Sequence, residues 1–227
     1  MTKEQVKQLI ESAQKESRKT LSEYEAKQVL AAYKIPVTRE ILVQAPDALS
    51  GAVTSIGFPL VMKGCAAEIA HKTEKNLVRV DVRNETEAKI AYDEIVTAMD
   101  GVGDVLVQEM ISGRRELVIG MTRDPQFGAC VMFGLGGIFT EILKDISFRK
   151  APLEQRDAME MMQEIKGYKI LDAVRGMEAA DKNALAEMLI NIGQIGVDID
   201  AVAEIDLNPV ILSGSKPVAV DALIVLK

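Results

Sequence analysis

His71 is the only histidine among 227 residues and stands in the string AEIAHKTEK, eight positions after the lysine of FPLVMKG. Imidazole accepts a proton or a phosphoryl group near neutral pH, so this residue is a candidate for group transfer as well as for a plain structural role. In EIDLNPV, the oxygen-bearing side chains of Glu204, Asp206 and Asn208 recur at every second position. On an extended strand that spacing puts all three on one face. The SGSK turn that follows, with Gly214 and Ser215 as its two loop residues, sets a hairpin register in which Asn208 faces Asp221. Residues facing each other this way have Cβ atoms about 5 Å apart. An amide oxygen and a carboxylate at that separation suit Mg²⁺, which takes one or two carboxylates and leaves its other positions to water and phosphate. A solvated face of an edge hairpin fits the same pattern.

The string MFGLGGIFTEILKD supplies a second group of candidates. Gly134, Gly136 and Gly137 allow close backbone approach to a ligand or positive φ, as a phosphate-cradling loop needs, and a tight hairpin turn would use them equally well. The string matches neither GxGxxG nor the Walker A pattern. Glu141 would add a carboxylate on the strand leaving that loop. Lys63 ends an apolar strand before Gly64, from where an ammonium can meet an anion as a point charge. Glu109 ends the next apolar strand and Glu116 follows the Ser112-Gly113 turn. Each of these is unremarkable alone, as a snorkelling lysine or a solvated glutamate.

Regular elements must hold these groups. Val6, Ile10 and Ala13 have helical spacing, and Ser22 with Glu25 forms a capping-box pattern ahead of AKQVLAAY, predicting two opening helices. Pro36 ends the second, VTREILV reads as a strand, and Pro46-Asp47 starts a short helix running toward Gly57. FPLVMKG is a buried type of strand and NLVRVDV alternates as a strand should. Asn84 with Glu87 caps a helix through Ala98. DVLVQEM, RRELVIGMTRD, ACVMF, GIFTEIL and ISFR read as an antiparallel meander, with turns at Ser112-Gly113 and at Asp124-Pro125 through Gly128. Helices at about 153–165 and 181–195 follow, and the strands AVAEIDLNPVIL and KPVAVDALIVL close the chain. Helices and strands mix without strict βαβ alternation, which points to an α+β class with two lobes.

Composition narrows the function classes. The chain is 48% hydrophobic and 27% charged, has a net charge of −7 and lacks Trp. That combination argues against a nucleic-acid surface made of basic patches and stacking rings. Cys65 and Cys130 stand in apolar contexts without CxxC spacing and read as reduced thiols rather than zinc ligands. No stretch has the length of a membrane span or the form of a signal peptide, so a cytoplasmic protein without membrane partners is expected.

The order of these elements resembles the ATP-grasp fold, and more narrowly the β subunit of the NDP-forming acyl-CoA synthetases. The strings LSEYEAKQVLAAYKIPV, FPLVMKG, HKTEKNLVRV, RELVIGMTRDPQFGACVMFGLGGIFTEILKDISFRKAPL and EIDLNPV carry the likeness, from about Leu21 to the C-terminus. It implies an N-terminal helix over 1–20 and an ATP-grasp domain over 21–227. The small lobe would span about 45–110 and the large lobe the remainder, with the nucleotide site between them. It also implies binding of ATP or ADP with Mg²⁺: Lys63 and Lys72 on the phosphates, Glu109, Met110 and Glu116 toward adenine and ribose, and the Gly134, Gly136 and Gly137 loop at the nucleotide. Mg²⁺ would sit on Asn208 and Asp221, with Glu141 assisting.

In this family the histidine matching His71 carries a phosphoryl group between the nucleotide and a CoA-binding α subunit. The reaction so implied is acyl-CoA + ADP + phosphate ⇌ carboxylate + CoA + ATP, in a heterotetramer of two α and two β subunits. A different ATP-grasp carboxylate ligase and a non-catalytic nucleotide-sensing module are the alternatives. Two departures stand out. Asn76-Leu77-Val78 replaces a glycine-rich run, and Lys34 stands where the family usually has glycine before IPV.

Overall fold

The computed structural model describes residues 1–67, 76–137, 145–174 and 176–227. The chain divides into two compact units, one of Ser22–Tyr24 and Thr38–Met110, the other of Met1–Leu21, Glu25–Val37 and Ile111–Lys227.

In the smaller unit, β1 (Glu40–Val43), β2 (Leu60–Cys65), β3 (Val78–Val82) and β4 (Asp104–Glu109) form an antiparallel sheet in the order β1-β4-β2-β3. Helices α3 (Leu49–Ile56) and α4 (Glu85–Ala98) supply the rest of its core. The cap anticipated for α4 is present, with the Asn84 side chain accepting from the Glu87 N–H at 3.0 Å. Ala88, Ala91, Tyr92 and Ile95 recur on the buried side of α4 and meet Leu60 and Met62 of β2 and Val105 and Val107 of β4 in one cluster. Removing a fully buried side chain such as Ile95 to alanine costs about 2–5 kcal/mol. Alternation then places Val61 and Lys63 of β2, with Leu106 and Gln108 of β4, on the opposite sheet face.

The larger unit has a six-stranded sheet. Its order is β10-β8-β5-β6-β7, with β9 paired to β8. The strands are β5 (Glu116–Asp124), β6 (Gly128–Leu135), β7 (Ile146–Lys150), β8 (Val202–Ser213), β9 (Lys216–Ala219) and β10 (Leu223–Leu226). One face is covered by α5 (Gln155–Glu164) and α6 (Lys182–Asp198), and the same core takes in apolar residues of α1 (Lys3–Lys15) and α2 (Glu23–Ala32). Leu117, Ile119, Val131, Phe133, Ile205 and Leu207 point into that core. Asp198, at the end of α6, accepts from Lys3 Nζ at 2.9 Å and Tyr33 Oη at 3.0 Å, fastening α1 and α2 in place. Burial, together with Asp198, pushes the Tyr33 hydroxyl well above its ordinary pKa.

Three sequence expectations meet different outcomes here. DVLVQEM does not share a meander with RRELVIGMTRD: β4 and β5 belong to different sheets, and the meander consists of β5, β6 and β7. KPVAVDALIVL is two strands, because the chain leaves the ladder at 220–222, where Asp221 Oδ1 accepts the Ala222 N–H at 2.8 Å. The strand expected at GIFTEIL lies almost wholly outside the described residues. Both departures from the family's glycine pattern adopt left-handed backbone, with φ of 60° at Lys34 and 57° at Asn76. Asparagine tolerates that conformation, so the Asn76 replacement keeps the local turn. Lys34 accepts more strain to do so.

Candidate functional site

The EIDLNPV strand behaves as its period-two pattern requires. Along β8, Ile205, Leu207 and Val210 are buried while Glu204 and Asn208 are exposed and Asp206 is half-buried. The register also follows the Gly214-Ser215 turn, pairing Ser213 with Lys216 and Val210 with Ala219. A further hydrogen bond runs from the Val220 N–H to the Pro209 carbonyl at 3.0 Å. Asn208 and Asp221 lie immediately beyond that bond, on the two arms of the hairpin. Asp206 joins them: burial first, then the charges of Glu204 and Asp221, push its carboxyl up to about 6. The period-two pattern had pointed at Asp206, yet the magnesium reading rested on Asn208 and Asp221. What it missed is the depth at which Asp206 sits.

The hairpin belongs to the sheet face that the helices leave uncovered. Gly120 of β5 pairs with Asp206, and Gly134 of β6 pairs with Val118, next to the register shift opposite Asn208-Pro209. Adjacent strands are about 4.8 Å apart, so Gly134 lies roughly 10 Å from the hairpin. The loop beyond Gly134 packs on Glu116. The Gly136 N–H donates to the Glu116 carbonyl at 2.8 Å, and a Cβ on Gly136 would stand 2.8 Å from the Glu116 carbonyl carbon and 2.9 Å from the Leu117 nitrogen. Gly137 has φ of 64°, and a Cβ there would stand 2.9 Å from Glu116 Oε2. Packing against the β5 backbone therefore requires glycine at 136, while at 137 the left-handed backbone favours it.

Arg115 sets where β5 begins. The residue is 3% exposed, and its guanidinium donates to the carbonyls of Ile170, Asp172, Glu178 and Gly214, at 2.7–3.4 Å. It ties the strand bearing Glu116 to the turn that fixes the hairpin register. Backbone carbonyls leave no mark in sequence, and this role had no signal there.

In the smaller unit, Lys63 departs from the exposed position that its strand-end reading suggested. It is 4% exposed, because every residue of β2 is buried, and its Nζ lies 2.7 Å from Glu23 Oε1. Glu109 is held by Arg39: Oε1 accepts the backbone N–H at 2.7 Å and Oε2 accepts Nε at 2.8 Å. Met110, 40% exposed, follows it. His71, Lys72 and Glu141 lie outside the described residues. The structure thus brings Glu116 to the glycine loop and Asn208, Asp221 and Asp206 to one hairpin, while Lys63 and Glu109 each meet a partner that sequence did not name.

The donors on the hairpin are all oxygens, the ligand type of a hard cation, and the charge of Glu204 and Asp221 acting on half-buried Asp206 is what a divalent ion would offset. Among the described residues no trio of His, Cys, Asp and Glu side chains forms a metal-holding cluster. A site of one amide and one or two carboxylates fits Mg²⁺ that arrives with substrate phosphates. Among the described residues, no helix is long and apolar enough to cross a membrane.

A family model for the ATP-grasp domain matches residues 12–226. The chain is 39% identical to the β subunit of acetate–CoA ligase (ADP-forming) I of Pyrococcus furiosus, over 97% of both chains. It superposes on the dinucleotide-forming acetyl-coenzyme A synthetase 1 of Ca. Korarchaeum cryptofilum, in complex with coenzyme A, Ca-AMPCP and HgCl⁺, with a TM-score of 0.92 and 42% identity, over 97% of this chain and 99% of that one. A further structure of that synthetase holds coenzyme A and Mg-AMPPCP, with its phosphohistidine segment pointing towards the nucleotide-binding site. Its TM-score is 0.88 at 43% identity, over 98% of this chain and 100% of that one.

Proposed function

The chain belongs to the ATP-grasp family, among the β subunits of ADP-forming acetate–CoA ligases, and on that premise we propose that it moves a phosphoryl group between MgATP or MgADP and a CoA-binding partner subunit. The observation that carries this reading is the full-length likeness to a β subunit combined with the hairpin. Asn208, Asp221 and Asp206 concentrate oxygen donors on one hairpin, on the sheet face opposite α5 and α6. Asn208 and Asp221 hold the ion in this reading, and a bound Mg²⁺ neutralises charge on the phosphate oxygens. Glu116 orients the nucleotide at the glycine loop. Lys63 takes the phosphates as a point charge.

His71 accepts the phosphoryl group, and the electron pair of the broken anhydride bond leaves with ADP. Imidazole splits one long transfer into two shorter ones. In this direction the partner passes the group to the carboxylate as an acyl phosphate, and the CoA thiol then displaces phosphate. The net reaction acyl-CoA + ADP + phosphate ⇌ carboxylate + CoA + ATP thus runs from right to left. We place the complex in the cytoplasm as two α and two β subunits.

The test uses the chain assembled with its partner. With labelled MgATP, the wild-type chain should acquire a phosphate that is labile to acid and stable to base, as a phosphoramidate is. His71→Asn should bind MgADP with wild-type affinity, acquire no label and lose acyl-CoA synthesis. Near-normal synthesis by His71→Asn would end the relay reading.

A further inference from the structure

Lys63 and Glu23 form a buried ion pair, with side-chain exposures of 5% and 1%. Acidic residues are ordinary in the first turn of a helix, where Glu23 stands, but they are ordinarily solvated. A buried charge pair is costly to assemble and is by itself weak evidence for stability. Lys63 itself lies on the sheet face turned away from α3 and α4, since its strand neighbours Leu60 and Met62 are the residues that enter the helix-side core. Its flexible four-carbon stem, left to itself, would sample many rotamers. Glu23 selects one of them.

We propose that Glu23 is a positioning residue for Lys63, fixing its ammonium at the point where nucleotide phosphates are taken up. One ammonium donor meets Glu23 at 2.7 Å, and a phosphate oxygen would be a further acceptor for the same group. The ordering of the stem is then complete before the nucleotide arrives, and binding does not have to supply it. The proposal rests on Lys63 being a phosphate contact, so its test must separate the two ideas.

The full chain carrying Lys63→Met, Glu23→Gln or Glu23→Asp is titrated calorimetrically with MgADP and, separately, with adenosine, from about pH 6 to about pH 9. Glu23→Gln should weaken MgADP about tenfold while leaving adenosine unchanged, because only phosphates meet the ammonium. The loss should be confined to MgADP across that pH range, since the lysine has lost the partner that orders it. Glu23→Asp keeps the charge on a shorter arm and should show a smaller, pH-independent loss, again confined to MgADP.

If Lys63→Met weakens MgADP and Glu23→Gln matches wild type throughout, the positioning role is wrong while the phosphate contact stands. If Lys63→Met itself binds as wild type, the phosphate reading fails and the proposal falls with it. Equal losses for MgADP and adenosine in Glu23→Gln would mark a structural role and overturn the proposal. Should Glu23→Gln not fold, the same comparison in Glu23→Asp decides: loss confined to MgADP supports positioning, and equal loss refutes it.

Discussion

Alanine at Gly136 and at Gly137 should have different consequences, and the difference can be worked from what each new methyl group meets. At 137 two terms act. The left-handed backbone, with φ of 64°, costs a non-glycine residue about 1–2 kcal/mol. The contact, 2.9 Å from Glu116 Oε2, is with the end of a flexible side chain and is relieved when that side chain turns. At 136 the methyl meets backbone, 2.8 Å from the Glu116 carbonyl carbon and 2.9 Å from the Leu117 nitrogen. Those atoms belong to β5, which is paired on both sides, so they yield only by disturbing two ladders.

Overpacking of this kind costs typically 1–3 kcal/mol, and the rigidity of β5 puts Gly136→Ala at the upper end, about 3 kcal/mol. For a chain of this size that corresponds to a fall in Tm of about 6–12 °C, against about 2–8 °C for Gly137→Ala. Thermal melts give the ranking, and MgADP titrations give the functional half. Gly137→Ala displaces the Glu116 carboxylate, so its effect on affinity should vanish in a Glu116→Ala background. Gly136→Ala melting within about 2 °C of wild type would refute the packing argument. A full affinity loss from Gly137→Ala in the Glu116→Ala background would show the loop meeting the ligand itself.

Two further outcomes follow from the same structure. Asn208→Ala and Asp221→Ala should each shift the Mg²⁺ dependence of phosphoryl transfer nearly as far as the double variant does, because an ion held by two short ligands is lost with either one; additive shifts would argue for separate roles. Lys34→Gly should raise Tm by about 2–4 °C, the relief of left-handed strain at φ 60° outweighing the extra freedom of the unfolded chain by about 1 kcal/mol. Lys34→Ala, which keeps the strain, should melt with wild type, and an equal rise in both variants would assign the effect to the lost charge instead.

What the sequence disclosed were features that short-range geometry decides. The Asn84 cap and the alternation along EIDLNPV needed only neighbouring residues, and the hairpin register needed only the identity of its turn. Partners that are distant in sequence were opaque. Lys63 and Glu23 are forty positions apart and Arg39 and Glu109 seventy, and nothing local tells a lysine at a strand end that it will be buried rather than solvated. The same limit hid the separation of β4 from β5. Two apolar strands joined by a Ser-Gly turn look like a hairpin, and only the competition among all strands for partners puts them in different sheets. The glycine loop was legible as to its freedom of conformation and opaque as to what that freedom serves, which proves to include close packing on Glu116.

The charge balance explains why such a site would depend on its cation. The chain carries a net charge of −7, and the hairpin concentrates part of it in Glu204, Asp206 and Asp221. A bare nucleotide triphosphate approaching that hairpin meets like charge at close range, and burial around Asp206 reduces the screening that water would give. Arriving as a magnesium complex, the same nucleotide brings the positive charge that the carboxylates lack. In the proposed reading the ion meets Asn208 and Asp221 first, which weakens that repulsion. On this view the acidic hairpin selects for the metal complex over the free nucleotide, which makes metal loading a condition of nucleotide entry rather than a later step.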